Sequence, residues 1–261
     1  MAGALKEARV RAVLAGFVVL AGSCATASVD DDWTPLIGDD LSGWTVKFAG
    51  ELVGVNYRDT FKVEDGVLRV DYSGWDKLDG TFGHIFTDVD YSAYDLRFEY
   101  RTVGEQVAGA PDWGFRNNGV LIHAQAPETM ELGQGFPQSL EVQLLGADGD
   151  TYRSTGNMCS PGTDVVVADV RTDTHCIDSN KATTPHGEWV AVRVEAEAGG
   201  AVRWFVNDVE TFAVDAVVVN PDDPVMPVGR GEDGDRLLSG RIAFQAESHP
   251  TEFRNVEIRV R

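Results

Sequence analysis

Three observations in this sequence predict an all-β sandwich or barrel. No segment after residue 30 keeps a helical apolar period for more than two turns. Alternation of period two recurs in its place. Gly, Pro, Asn and Asp cluster between the alternating runs, as turns require. Many short strands with few helices leave a sandwich or a barrel as the stable layering.

The strands can be placed in order. Phe61–Asp71 is interrupted at Glu64-Asp65-Gly66, and Tyr94–Thr102, Gly119–Ala124, Ser139–Leu145 and Trp189–Glu197 follow. Ala201–Val206, Gly240–Glu247 and Glu252–Val260 complete the set. Neighbouring side chains on a strand point to opposite faces, so parity sorts them. Leu140, Val142 and Leu144 share an apolar face against Glu141 and Gln143. Ile242, Phe244 and Ala246 oppose Arg241, Gln245 and Glu247. Val190, Val192 and Val194 oppose Arg193 and Glu195. Val120 and Ile122 pair as core, which turns Leu121 and His123 the other way. If these strands adjoin, their polar faces make one surface of amides, carboxylates and a histidine. Such a surface suits sugar hydroxyls, and it equally suits plain solvent.

The first residues read as an address. Lys6, Arg9 and Arg11 precede an apolar run, Ala12 to Gly22, and the small residues Ser23-Cys24-Ala25-Thr26-Ala27. That order is a secretory signal, here taken as residues 1–28, and the run is short for a bilayer of about 30 Å. Ala21-Gly22-Ser23-Cys24 resembles a bacterial lipobox with Cys24 as the acylated residue, although Ala21 stands where Leu is usual. Ala25-Thr26-Ala27 fits ordinary signal-peptidase cleavage. The expectation is an exported protein, periplasmic or held at a membrane only through a lipid on Cys24.

The chain carries 22 basic and 42 acidic residues, a net charge of −20. Cleavage before Cys24 removes three basic residues and one acidic residue, which leaves −22. A phosphate backbone is repelled by such a surface, so nucleic acid is not an expected partner. No loop has the spacing of an EF-hand. Residues 33–261 suffice for one large domain with a full core. Cys159 and Cys176 are the cysteines beyond the signal. In an oxidising compartment they are expected as a disulfide. His175 beside Cys176 invites a metal reading, but the second ligand pair of a zinc site is missing.

Several segments together resemble a known family. They are Pro35-Leu36-Ile37-Gly38-Asp39-Asp40-Leu41-Ser42-Gly43-Trp44, Phe61 to Leu68, Tyr94 to Arg101, and Asn117-Asn118-Gly119-Val120. Leu140-Glu141-Val142-Gln143-Leu144, Gly187-Glu188-Trp189, Gly240 to Gln245 and Phe253 to Ile258 continue in family order. The chain is similar over residues 33–261 to the 3-keto-disaccharide hydrolase family, also described as 3-keto-glucoside-1,2-lyase/3-keto-2-hydroxy-glucal hydratase and once classed as a domain of unknown function. The resemblance implies a concanavalin A-like jelly roll of two antiparallel sheets acting on carbohydrate. Three departures stand out: His123 where many members carry Arg, the insertion Ala126–Gln138, and the Cys159–Cys176 loop.

The residues bear on the chemistry directly. A retaining glucanase needs two carboxylates about 5–5.5 Å apart. The usual single-strand solution is Glu-x-Asp-x-Glu. Here the stretch reads Glu141-Val142-Gln143-Leu144-Leu145, which disfavours that mechanism unless Glu247 supplies the second acid from another strand. The chemistry implied by the resemblance is loss of the C2 proton of a 3-keto-sugar, β-elimination at C1 and hydration. It needs a base near neutral pKa, a group for the enolate oxygen and a proton source. His123 and Glu141 are the candidate catalysts. Gln143, Asn118, Arg153, Gln245 and Glu247 are the candidate binding residues. Arg153 or a divalent metal would stabilise the enolate, and the sequence leaves the metal open. Trp75 and Trp113, in Gly-, Asp- and Pro-containing loops, are the candidate sugar platforms. The competing functions are a non-catalytic lectin module and a cell-surface interaction domain.

Overall fold

The computed structural model describes Met1 and residues 32–149, 151–228 and 230–261. The chain divides into two units, Met1–Asp32 and Trp33–Arg261. The signal segment and Cys24 lie outside the described residues. The second unit opens with β1 (Thr34–Pro35), β2 (Trp44–Phe48), β3 (Phe61–Glu64), β4 (Val67–Val70), β5 (Gly83–Thr87) and β6 (Tyr94–Thr102). It continues with β7 (Asn117–Ala124), β8 (Leu140–Leu145), β9 (Asn157–Cys159), β10 (Thr163–Val167), β11 (Val170–Thr172) and β12 (Cys176–Ile177). Then come β13 (Val190–Ala196), β14 (Val202–Val206), β15 (Val209–Val214), β16 (Ala216–Val219), β17 (Arg241–Ala246) and β18 (Thr251–Val260). Among the described residues no helix is long and apolar enough to cross a membrane.

Two antiparallel sheets face each other. One runs β15-β14-β13-β6-β18-β4-β3 with β1 against β18, and the other runs β12-β9-β8-β7-β17-β5-β2. A small sheet, β11-β10-β16, lies beside them. The fold is thus the predicted jelly-roll sandwich, and the alternation of each strand explains it. On β6, Tyr94, Leu96, Phe98 and Tyr100 are buried between the sheets, while Asp95, Arg97, Glu99 and Arg101 alternate with them. Phe98 meets Phe244 of β17 edge-on at 5.4 Å, and Phe244 meets Phe253 of β18 at 4.4 Å. These rings bridge the two layers, and each fully buried Phe stabilises by about 1.5–3 kcal/mol.

The outward face of the larger sheet is a lattice of cross-strand ion pairs. Arg254 reaches Glu99 at 2.9 Å, Arg97 reaches Glu257 at 2.7 Å and Arg101 reaches Glu252 at 2.6 Å. Trp189 lies between Arg101 and Arg254, 4.4 and 4.1 Å from its ring centre. A groove of about 380 Å³ crosses this face, lined by Arg97, Glu99, Arg193 and Glu257 among others. Arg97 and Glu257 pair across it, and Glu99 and Arg193 are held by Arg254 and Glu195.

The other sheet carries a register shift that matters below. Ala243 of β17 pairs with Leu121 of β7, but Arg241 pairs with Ala124. Ile242 therefore opposes two residues, Ile122 and His123, which is a β-bulge. His123 takes the left-handed backbone conformation there, with φ 53°. The strand is re-aimed, and the His123 ring turns inward to stand edge-on to core Tyr94 at 6.2 Å.

Candidate functional site

The face of the seven-stranded sheet away from the core holds the site. Register places Leu121 beside Glu141 and Gly119 beside Gln143 across β7 and β8, and Glu141 beside Cys159 across β8 and β9. On the other flank, Gln245 of β17 pairs with His84 of β5, and His84 with Lys47 of β2. One row of the pleat thus runs Lys47, His84, Gln245, Gly119, Gln143 and Asn157. The next row is apolar through Phe86, Ala243 and Leu121. With Ala124 and Met130 these make a small second core under the Ala126–Gln138 segment. The polar surface expected from parity is therefore half covered, and what stays open is a cleft at one end.

That cleft has a volume of about 350 Å³, within the range of small-molecule sites. Glu141 and Gln143 of β8, Asn117 of β7 and Glu247 at the end of β17 form its floor. The Cys159–Cys176 disulfide, His175, Trp113, Phe136, Val225 and Met226 form its walls. Gly119 makes room for the acid: a Cβ there would lie 2.6 Å from both Glu141 Oε1 and Gln245 Oε1.

Glu141 and Glu247 are 6% and 3% exposed, and Glu247 Oε2 has no hydrogen-bond partner. Burial pushes both carboxyls above the usual range. The charge of Glu141 raises Glu247 further. The Gln245 amide lies beside Glu141 without a closed hydrogen bond and opposes its shift. Two such carboxyls favour a state with one proton between them, because a second buried negative charge has no partner. The arrangement supplies an acid and a base at one place, from strands 106 residues apart in sequence.

The remaining polar groups are oriented. Gln143 Oε1 accepts from Asn157 Nδ2 at 3.0 Å, which leaves its Nε2 as a donor. His175 Nδ1 stands 3.7 Å from Asp223, too far for a hydrogen bond. Burial lowers the pKa of His175, and Asp223 opposes that shift. Asp223 in turn accepts from the backbone N–H of Gly162 at 2.8 Å and of Val225 at 2.9 Å, which ties both sides of the cleft together. Trp113 is 50% exposed at the mouth and packs on Phe82 at 5.5 Å, and Phe82 packs on Phe136 at 5.3 Å.

The structure brings together Glu141, Gln143 and Glu247, with Gln245 directly behind Glu141. It corrects four other expectations. His123 does not share this face, because the bulge turns it into the core; its ring nitrogens are unpartnered, and burial lowers it to about 4. Asn118 points with Val120 and Leu144 to the core side and donates to the Gln245 carbonyl at 2.9 Å; Asn117 takes the position in the cleft. Arg153 lies outside the cleft, its Nη1 bound to the carbonyls of Phe115 and Gly146. Trp75 is a core residue, 7% exposed, donating to Thr60 Oγ1 at 2.9 Å.

Sequence reasoning missed Asn117, which parity with Val120 would have found. It also missed Lys47 and His84. Both are buried, Lys47 binding the carbonyls of Phe48 and Leu132 at 2.5 and 3.0 Å. His84 meets Phe136 edge-on at 5.5 Å, and burial, with the nearby Lys47 charge, lowers it to about 3. The strand of His84 is buried at every position and that of Lys47 at all but Thr45, so no polar alternation announced them. Among the described residues no group of three or more His, Cys, Asp or Glu is arranged to hold a metal ion.

Comparison with known proteins agrees with this architecture. Two candidate glycosyl hydrolases of Parabacteroides distasonis ATCC 8503 superpose with TM-scores of 0.51 each. One is 19% identical and aligns over 88% of this chain and 99% of its own; the other is 21% identical over 87% and 93%. Likeness at this identity shows the fold. No functionally curated protein sequence matches the chain. The family model of the 3-keto-alpha-glucoside-1,2-lyase-like domain matches residues 32–259, and the chain belongs to that family.

Proposed function

We propose that this protein cleaves 3-keto-glycosides by β-elimination, with Glu141 and Glu247 as the proton-transfer pair. The observation that carries the reading is the pair of buried carboxyls, one on β8 and one just past β17, on the floor of one cleft. A ketone at C3 acidifies the C2 proton. The ionised member of the pair removes it, and the electrons pass to the C3 oxygen as an enolate. When the enolate collapses, C1=C2 forms and the C1–oxygen bond breaks. The protonated member delivers its proton to the departing oxygen. Water then adds its oxygen to C1 and a proton to C2, giving the free 3-keto-sugar. Asn117, Gln143 and neutral His175 supply hydrogen bonds to the enolate and the sugar hydroxyls. Raised carboxyl pKa values suit this task, since a base near neutrality is both available and strong enough.

The test is direct. Incubation with a 3-keto-glycoside and with its unoxidised parent, followed by mass spectrometry, should give product from the ketone alone. Exchange of the C2 proton in deuterated water should accompany it. Glu141→Gln and Glu247→Gln should each slow turnover by about 10²–10⁴-fold. Undiminished exchange in both variants removes the pair as catalysts. Binding without turnover in wild type would leave a lectin.

We also propose export, with Cys24 acylated at the membrane. The basic start, the apolar run and a disulfide at Cys159–Cys176 support it, since such bonds persist in oxidising compartments. Fractionation of wild type and Cys24→Ala in a Gram-negative host tests the anchor; equal recovery in the soluble periplasm refutes it.

A further inference from the structure

Beside the cleft, four basic side chains gather around Phe115. Arg116 lies over the Phe115 ring at 4.7 Å. His249 meets the same ring edge-on at 5.7 Å. Arg153 donates to the Phe115 carbonyl and, at 3.4 Å, to that of Gly146. His186 stands edge-on to His249 at 5.8 Å, with Nδ1 2.9 Å from Thr102 Oγ1.

Among the described residues negative charge is scarce around this cluster. Among the described residues Arg153 has no carboxylate at ion-pair distance. Arg116 has Asp148 alone, at 3.9 Å, on a side chain 71% exposed. Glu105 acts on His186 and Asp148 on Arg153 only at longer range. The arginines of the outer sheet, by contrast, are matched by carboxylates. In a chain with 42 acidic and 22 basic residues, that scarcity is not a matter of composition.

Donors without acceptors accompany the charge. Arg116 Nε is buried with no partner. Both ring nitrogens of His249 are unpartnered as well, in a residue 1% exposed. Burial, together with His186, Arg116 and Arg153, pulls His249 down to about 4. Unmade hydrogen bonds and like-charge crowding both cost stability. An anion relieves both at once.

We propose that Arg116, Arg153 and His249 form an oxyanion-binding site that takes a phosphate, sulfate or carboxylate group. Planar guanidinium groups match such groups through paired N–H donors. The site adjoins the cleft: Asn117 follows Arg116, and Glu247 precedes His249 by two residues, and both line it. The oxyanion is therefore either a free anion at the rim or an acidic substituent of the sugar in the cleft.

Calorimetry with inorganic phosphate and sulfate tests the site, and it does not depend on the proposed catalytic activity. One saturable site is expected, with affinity for sulfate rising as pH falls, because a bound anion favours the protonated forms of His186 and His249. Arg116→Gln and Arg153→Gln should weaken it by about tenfold or more, and Arg153→Lys should recover only part of the loss, since it keeps the charge without the paired donors. Should the glutamine variants fail to fold, NMR of the wild-type histidines gives the answer, since phosphate must shift the His249 and His186 ring resonances. Absence of saturable binding, affinity untouched by both glutamine substitutions, or stationary histidine resonances overturns the proposal. The source of the oxyanion is read from KM on a 3-keto-glucuronide and a 3-keto-glucoside. A rise in Arg153→Gln for the acid alone assigns the substituent; loss of phosphate binding with both KM values unmoved assigns the free anion.

Discussion

Replacing Glu247 by Gln should make the protein more stable and less active, with the gain in stability confined to high pH. Burial and the neighbouring Glu141 hold Glu247 well above an ordinary carboxylate. The unfolded chain releases that proton near pH 4.3. Above this the folded state binds more protons than the unfolded one, so stability falls as pH rises, until the folded pKa is passed. Each unit of upward shift amounts to about 1.4 kcal/mol. For a domain of this size that corresponds to roughly 3–6 °C in Tm. Glutamine keeps the shape and removes the charge. The Tm of Glu247→Gln should therefore exceed wild type by about 3 °C or more at pH 8, and the two should converge near pH 4. Paired thermal melts from pH 4 to 8 make the comparison, with turnover measured on the same samples. A difference independent of pH, or a variant less stable at pH 8, would refute the claim that this carboxyl is held protonated against solvent.

Other outcomes follow from the same geometry. His84, His123 and His249 are lowered to about 3, 4 and 4; below about pH 6.5 the unfolded chain takes protons that the fold refuses, so stability should drop as pH falls. His123→Gln should flatten that drop in acid melts while leaving kcat near wild type, and lost turnover with a normal melt would contradict its place in the core. Closing 17 residues, the Cys159–Cys176 disulfide should contribute about 3 kcal/mol; a double Ala variant with unchanged denaturant midpoint would oppose this. Trp113→Ala should raise KM about 5–10-fold with little change in kcat, whereas Trp75→Ala should cost about 3–5 kcal/mol of stability; steady-state kinetics and urea melts separate the two.

The regular strands were legible because their alternation is uninterrupted. Leu140–Leu145 shows Glu141 and Gln143 opposite three apolar residues, and the structure places those two in the cleft. The same rule misled at His123, where one extra residue reverses every assignment made by counting from Ile122. Asn118 was chosen for its place in a motif, against the alternation that puts it with Val120. Trp75 sits in a loop of turn-forming residues, but its indole packs between Tyr57 and Tyr72 at 5.1 and 5.3 Å, a contact no local pattern encodes. The partnership of Glu141 with Glu247 depends on sheet order. β7 alone separates β8 from β17, and that order is set by long-range pairing rather than by either strand's own residues.

The bulge at His123 makes this strand tolerant of a change in length. Loss of one residue inside a strand ordinarily turns everything beyond it to the wrong face. Here the surplus position is His123 itself. Its deletion would let Ile122 alone oppose Ile242 and keep Ala124 opposite Arg241, so the ladder would become regular with no side chain beyond it re-aimed. Gly240 is bound to the same feature, because a Cβ there would lie 2.5 Å from the His123 carbonyl carbon. The Ala124 carbonyl oxygen would lie 2.7 Å from the same Cβ, so position 240 is expected to stay glycine even in a chain shortened by that histidine.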